Sequence, residues 1–100
     1  MATATKVLAR TAAATSSTTL YTVPSATTTV VSNIAVTNTA ATAATFTLTL
    51  NSVALHTTTA IAANTTVYVD LKQVLTAAQT ITGLASATTI NFHISGVEVS

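Results

Sequence analysis

From Thr45 to Leu50 the chain alternates a threonine with a large apolar residue, Phe46, Leu48 and Leu50 on one side and Thr45, Thr47 and Thr49 on the other. Only an extended strand turns every second side chain to the same face, so this segment is predicted to be a strand with its Phe/Leu side buried. Thr65 to Leu71 repeats the pattern, with Val67, Val69 and Leu71 inward and Thr66, Tyr68 and Asp70 outward. In Thr28 to Asn38, Val30, Ile34 and Val36 are expected to share one side and Val31 and Ala35 the other.

The same reading gives shorter strands at Thr18–Val23, Val53–His56 and Gln79–Leu84, and a final one at Thr88–Val99 with Ile90, Phe92 and Ile94 on one face. Pro24 stops the first of these, because a residue without an N–H belongs at a strand end or an edge. Asn51-Ser52 reads as a hairpin turn, and Asn64 as a turn before the next strand. Gly96 is expected to mark a bulge, after which Val97 and Val99 take the opposite phase. Lys72 to Ala78 reads as a connector with one helical turn.

About seven strands near ten-residue spacing predict an all-β fold, a single antiparallel β-sandwich that is Ig-like or jelly-roll-like. A small barrel or tulip-like jelly roll is the alternative. Residues 1–17, low in complexity and without apolar periodicity, are expected to be an extended N-terminal arm, and 18–100 the sandwich domain. A short helix over Lys6–Ala14 competes with the arm, because good helix formers cluster there.

Composition then bears on function. Charged residues are 5% of the chain, and the only basic side chains are Lys6, Arg10 and Lys72. Phosphate binding by counterion release needs a clustered basic footprint, so no nucleic-acid partner is expected. No run of about 18 apolar residues occurs, despite a mean hydropathy of +0.63, so no membrane partner is expected either. The start of the chain has no continuous apolar segment of the kind a secretory signal needs.

With no cysteine, two histidines and two acidic residues, chemistry has little to work with. Asp70 and Glu98 would have to converge for acid–base catalysis, and His56 and His93 stand in no close-spaced ligand motif. No Gly-x-Ser-x-Gly elbow or glycine-rich phosphate loop is present. The chain is therefore expected to be no enzyme, with no catalytic, metal or cofactor-binding residues and no cofactor. A surface of hydroxyls and methyls dries at small desolvation cost, which suits packing against other subunits. With few charges to guard open strand edges, neighbouring subunits, the N-terminal arm or both are expected to cover them, making the protein a homo-oligomer or a lattice-bound subunit. Lys6, Arg10, Tyr21 and Tyr68 are the candidate interface residues.

Leu20-Tyr21-Thr22-Val23-Pro24, Val30-Val31-Ser32-Asn33-Ile34-Ala35-Val36-Thr37-Asn38, Ile61-Ala62-Ala63-Asn64-Thr65-Thr66 and Phe92-His93-Ile94-Ser95-Gly96-Val97-Glu98-Val99 stand in this order along the chain. Together they resemble small virion structural proteins of tailed bacteriophages, including cyanophages, from about Leu20 to the C-terminus. The resemblance implies a capsid decoration or cement protein that bridges neighbouring capsid subunits, or else a tail, neck or fibre component. A cell-surface adhesin module binding a host glycan or protein is the further alternative. It implies the major capsid protein or other virion proteins as partners, a homotrimer, and a location in the virion, assembled in the host cytoplasm. Where a glycine turn is expected after Leu75-Thr76-Ala77-Ala78, this chain has Gln79.

Overall fold

The structure, a computed structural model, describes residues 3–100 apart from the side chain of Asp70. Over these residues it contains eight strands: β1 (Thr3–Ala12), β2 (Thr18–Thr22), β3 (Thr28–Asn38), β4 (Ala44–Leu50), β5 (Val53–Ile61), β6 (Thr66–Leu75), β7 (Thr80–Ala85) and β8 (Ile90–Val99). They form two four-stranded sheets, β1-β8-β3-β6 and β2-β7-β4-β5. All pairs are antiparallel, and β1 pairs with β8, β2 with β7, β3 with β6 and β4 with β5. The chain is thus one long hairpin, folded back at the β4–β5 turn and rolled so that successive pairs fall on alternate sheets. That winding is the eight-stranded jelly roll, and it decides between the two sandwiches expected from sequence.

The alternating segments form strands because each offers a continuous apolar side to the space between the sheets. Phe46 and Phe92, from opposite sheets, meet edge to face at 6.4 Å and are fully buried. Ile34, Leu48, Ile81, Ile90 and Ile94 complete the middle of the core. At one end Asn38 is fully buried and binds two loops at once: its Nδ2 donates to the Thr42 carbonyl at 2.8 Å and the Ala62 carbonyl at 3.3 Å, and its Oδ1 accepts from the Ala40 N–H at 3.0 Å.

Several expectations are corrected. The segment expected as an arm is, over Thr3–Ala12, an edge strand hydrogen-bonded along β8, and no helix forms over Lys6–Ala14. Its weak signal has a physical cause: an edge strand buries little, and here only Leu8, with Ala13 just beyond, reaches the core. Met1 and Ala2 lie outside the described residues. Lys72–Leu75 continues β6 instead of forming a helical turn.

The bulge expected at Gly96 lies on its neighbours. β8 keeps its alternation through Gly96, which is buried, while the register shifts across Leu8 of β1 and Ser32 of β3. Gly96 is what allows this, since a Cβ there would stand 2.3 Å from the Val30 carbonyl oxygen. The extra residue at Ser32 also changes the phase of β3, so Val31, not Val30, joins Ile34 and Val36 in the core.

Turns follow the same economy of glycine. Asn51 and Ser52 have φ of 48° and 64°, the two positive values of a type I′ hairpin turn. At the β6–β7 turn, where a glycine was expected after Ala78, the positive φ falls instead on Ala78 itself, at 68°. Gln79 closes that turn, its N–H donating to the Thr76 carbonyl at 3.1 Å and its Oε1 accepting from the Thr76 N–H at 2.8 Å.

Candidate docking surface

Bulges, pleat and register together fix what the outer face of the β1-β8-β3-β6 sheet displays. Residues directly opposite one another share a face, so rows can be read across all four strands. Arg10 lies opposite His93, His93 opposite Ala35, and Ala35 opposite Tyr68. The next row is Ala12, Asn91, Thr37 and Thr66, and beyond the bulges comes Thr5, Val97, Val30 and Val74. The central residues of these rows are half-buried, whereas those on the edges stand out: Tyr68 is 70% exposed, Val74 61% and Val7 46%. The face is therefore broad and uncharged along its central strands β8 and β3, while its two margins carry the exposed apolar side chains together with Arg10 on β1 and Lys72 on β6.

Two of the four expected interface residues, Arg10 and Tyr68, fall on this face, at opposite ends of one row. Lys6 and Tyr21 do not. Lys6 lies opposite Gly96, on the inward set of β1, and pairs with Glu98 at 3.2 Å. Tyr21 is buried, so it offers a partner no surface to dock on. Its place in β2 carries its ring under the other sheet, where its hydroxyl donates to Glu98 at 2.5 Å and lies 2.8 Å from the Thr29 hydroxyl. Lys6, Glu98, Tyr21 and Thr29 thus clasp the two sheets together at the β1/β2 side of the sandwich.

The electrostatics of the clasp follow from these contacts. The hydrogen bond from Tyr21, helped by the Lys6 ammonium, holds the Glu98 carboxyl below its usual range against the opposing effect of desolvation. Burial, then the adjacent Glu98 carboxylate, pushes the Tyr21 phenol up. A surface salt bridge alone contributes little, but Tyr21 brings this one under the edge of the core.

A cleft of about 480 Å³ opens between β5 and β6, lined by Leu50, Val53, Leu55, Val74 and Leu75 with the amides Gln73 and Gln79. Val53, 69% exposed, and Val74 are its most exposed apolar lining residues. β5 itself is irregular, with two register shifts against β4 and with Thr58 at φ 45°, a conformation unfavourable to a β-branched residue.

The histidines are separated. His56, on β5, packs against Phe46 at 5.5 Å and contacts the Thr59 hydroxyl at 3.2 Å, while His93 lies on the outer face of the other sheet. Among the described residues no three His, Asp or Glu side chains group to hold a metal ion. Comparison with protein-family models, characterised proteins and solved structures returned no match.

Sequence reasoning missed the clasp and the role of Asn38. Glu98 is at the end of a recognisable strand, and a lone carboxylate there carried no hint of its partners 77 and 92 residues away. The apolar phase of Val74 was legible only once Lys72–Leu75 was known to be strand.

Proposed function

We infer that the chain is a structural subunit of a tailed-bacteriophage virion, most fittingly a capsid decoration or cement protein that bridges neighbouring capsid subunits. The observation that carries this reading is the outer face of the β1-β8-β3-β6 sheet, broad, uncharged along its two central strands and rimmed by exposed Tyr68, Val74 and Val7. The middle of such a face docks onto a protein surface with little charge to desolvate, and contacts of modest area repeated by symmetry hold a shell. The sequence resemblance from Leu20 onward supports the viral setting. Its partners on this reading are the major capsid protein or other virion proteins, with copies of itself as a homotrimer. The function is mechanical and involves no catalysis or cofactor.

A tail, neck or fibre position is the second reading, favoured by Tyr68, the one exposed aromatic among the described residues and a platform on which a host sugar ring would stack. Cryo-electron microscopy of the particle that carries the protein tests both. Density between capsomers over the whole shell is the result expected. A few copies at the tail, or none in any virion, overturns the cement assignment.

A further inference from the structure

Of the four exposed large apolar side chains among the described residues, Val7 lies on one edge of the β1-β8-β3-β6 sheet, Tyr68 and Val74 on the other, and Val53 beside Val74 at the mouth of the cleft. We propose that the protein assembles head to tail, the β6 edge of one copy receiving the β1 edge of the next. This rests on the reading of the chain as a self-associating structural subunit and names the surface that does it.

Strand direction permits the contact. β1 runs antiparallel to β8, β8 to β3 and β3 to β6, so β1 is antiparallel to β6 and a second copy placed beside β6 continues the sheet without inversion. The two edges match in length, ten residues each. Each has an uninterrupted stretch, Ala9–Ala12 in β1 and Thr66–Val69 in β6, beyond the bulges.

Extending the rows by one strand sets Ala9 of the incoming copy opposite Val69 and Thr11 opposite Val67 on the inner side. On the outer side Ala12 meets Thr66, and Arg10 meets Tyr68. A guanidinium over the face of an exposed tyrosine is a favourable cation–π pair, and it matches the one cation of the first stretch to the one aromatic of the second. Past the bulges, the same rows set the incoming Thr5 opposite Val74 and the incoming Val7 opposite Asp70, diagonal to Val74. Lys72, the exposed cation of β6, falls at the bulge and outside the paired stretch.

The other sheet does not extend in the same way. Its edges are β2, five residues long with a register shift, and β5, twice shifted and strained at Thr58. Neither keeps an unshifted stretch as long as those of β1 and β6, and edges broken at such short intervals resist strand addition. Contact on one sheet and not the other tilts successive copies, and a tilted heterologous contact closes into a ring when the rotation divides a full turn.

The test is sedimentation velocity and light scattering on the full chain from micromolar to several hundred micromolar, with melting curves to establish folding. Wild type is expected to associate. Arg10→Glu and Tyr68→Lys are each expected to weaken association about tenfold or more, by setting a carboxylate against the ring or a lysine against Arg10. Mixing the two variants is expected to restore it, because the introduced lysine of one then faces the introduced glutamate of the other and the remaining edges are native. A wild type that stays monomeric, single variants that associate normally, or a mixture that fails to recover overturns the proposal. A protein that forms rings but is absent from shells would end the cement assignment and leave this interface standing. A shell-bound protein whose variants associate normally would do the reverse.

Discussion

Replacing Gly96 by alanine probes the point where the two sheet bulges meet. The new Cβ would sit 2.3 Å from the Val30 carbonyl oxygen and 3.0 Å from Leu8 Cδ1. Leu8 is able to rotate away, but the carbonyl moves only with β3, which must shift by about 1 Å to restore ordinary contact. Overpacking a tight interior costs about 1–3 kcal/mol, and backbone in place of a rotatable side chain puts this case at the upper end. The entropy gained by removing a strand glycine returns about 0.5–1 kcal/mol. The net loss expected is about 2 kcal/mol, a fall in melting temperature of about 8–16 °C for a domain of this size. Gly83→Ala is the control, because its Cβ would meet only side-chain ends, Leu20 Cδ1 at 2.9 Å, Phe92 Cε2 at 3.2 Å and Leu48 Cδ2 at 3.4 Å. Its loss is expected to be about 1 kcal/mol. Urea and thermal unfolding followed by circular dichroism measure both. A Gly96→Ala protein as stable as wild type, or less affected than Gly83→Ala, would refute the argument from the Val30 carbonyl.

Ser52→Gly should stabilise by about 0.5–1 kcal/mol in urea melts, since Ser52 holds φ 64° in the β4–β5 turn and glycine does so without strain. Asn38→Ala should cost about 2–3 kcal/mol by the same assay, leaving the Thr42 carbonyl and Ala40 N–H without their partner in a fully buried place. Stability should also depend on pH at both extremes. Glu98 has its folded-state pKa lowered, so its contribution is complete above the unfolded glutamate value and is lost as pH falls through the folded one. Tyr21 has its pKa raised, so its contribution is complete below the ordinary tyrosine value and is lost as pH rises through the folded one. Melting temperatures of Tyr21→Phe across the pH range should show both limbs flattened, and unchanged limbs would remove the clasp as their cause.

The alternation of Thr45–Leu50, Thr65–Leu71 and Ile90–Ile94 determined on its own that the chain is built of half-buried strands, because only an extended backbone brings every second side chain to one apolar side, while the closed barrel was set aside only by the two separate sheets of the structure. The bounds of Thr28–Asn38 are legible to the residue, and Tyr68 stands on the surface as its strand phase requires. The arm was misread because β1 draws its order from β8, far along the chain, and not from any periodicity of its own. The phase of Val30, the place of the bulges, the burial of Tyr21 and the clasp at Glu98 were decided only by the tertiary structure. Each depends on which strand lies alongside which, and a one-residue shift between neighbours reverses the side a residue faces. Local sequence fixes the period of a strand, whereas its register belongs to the partner.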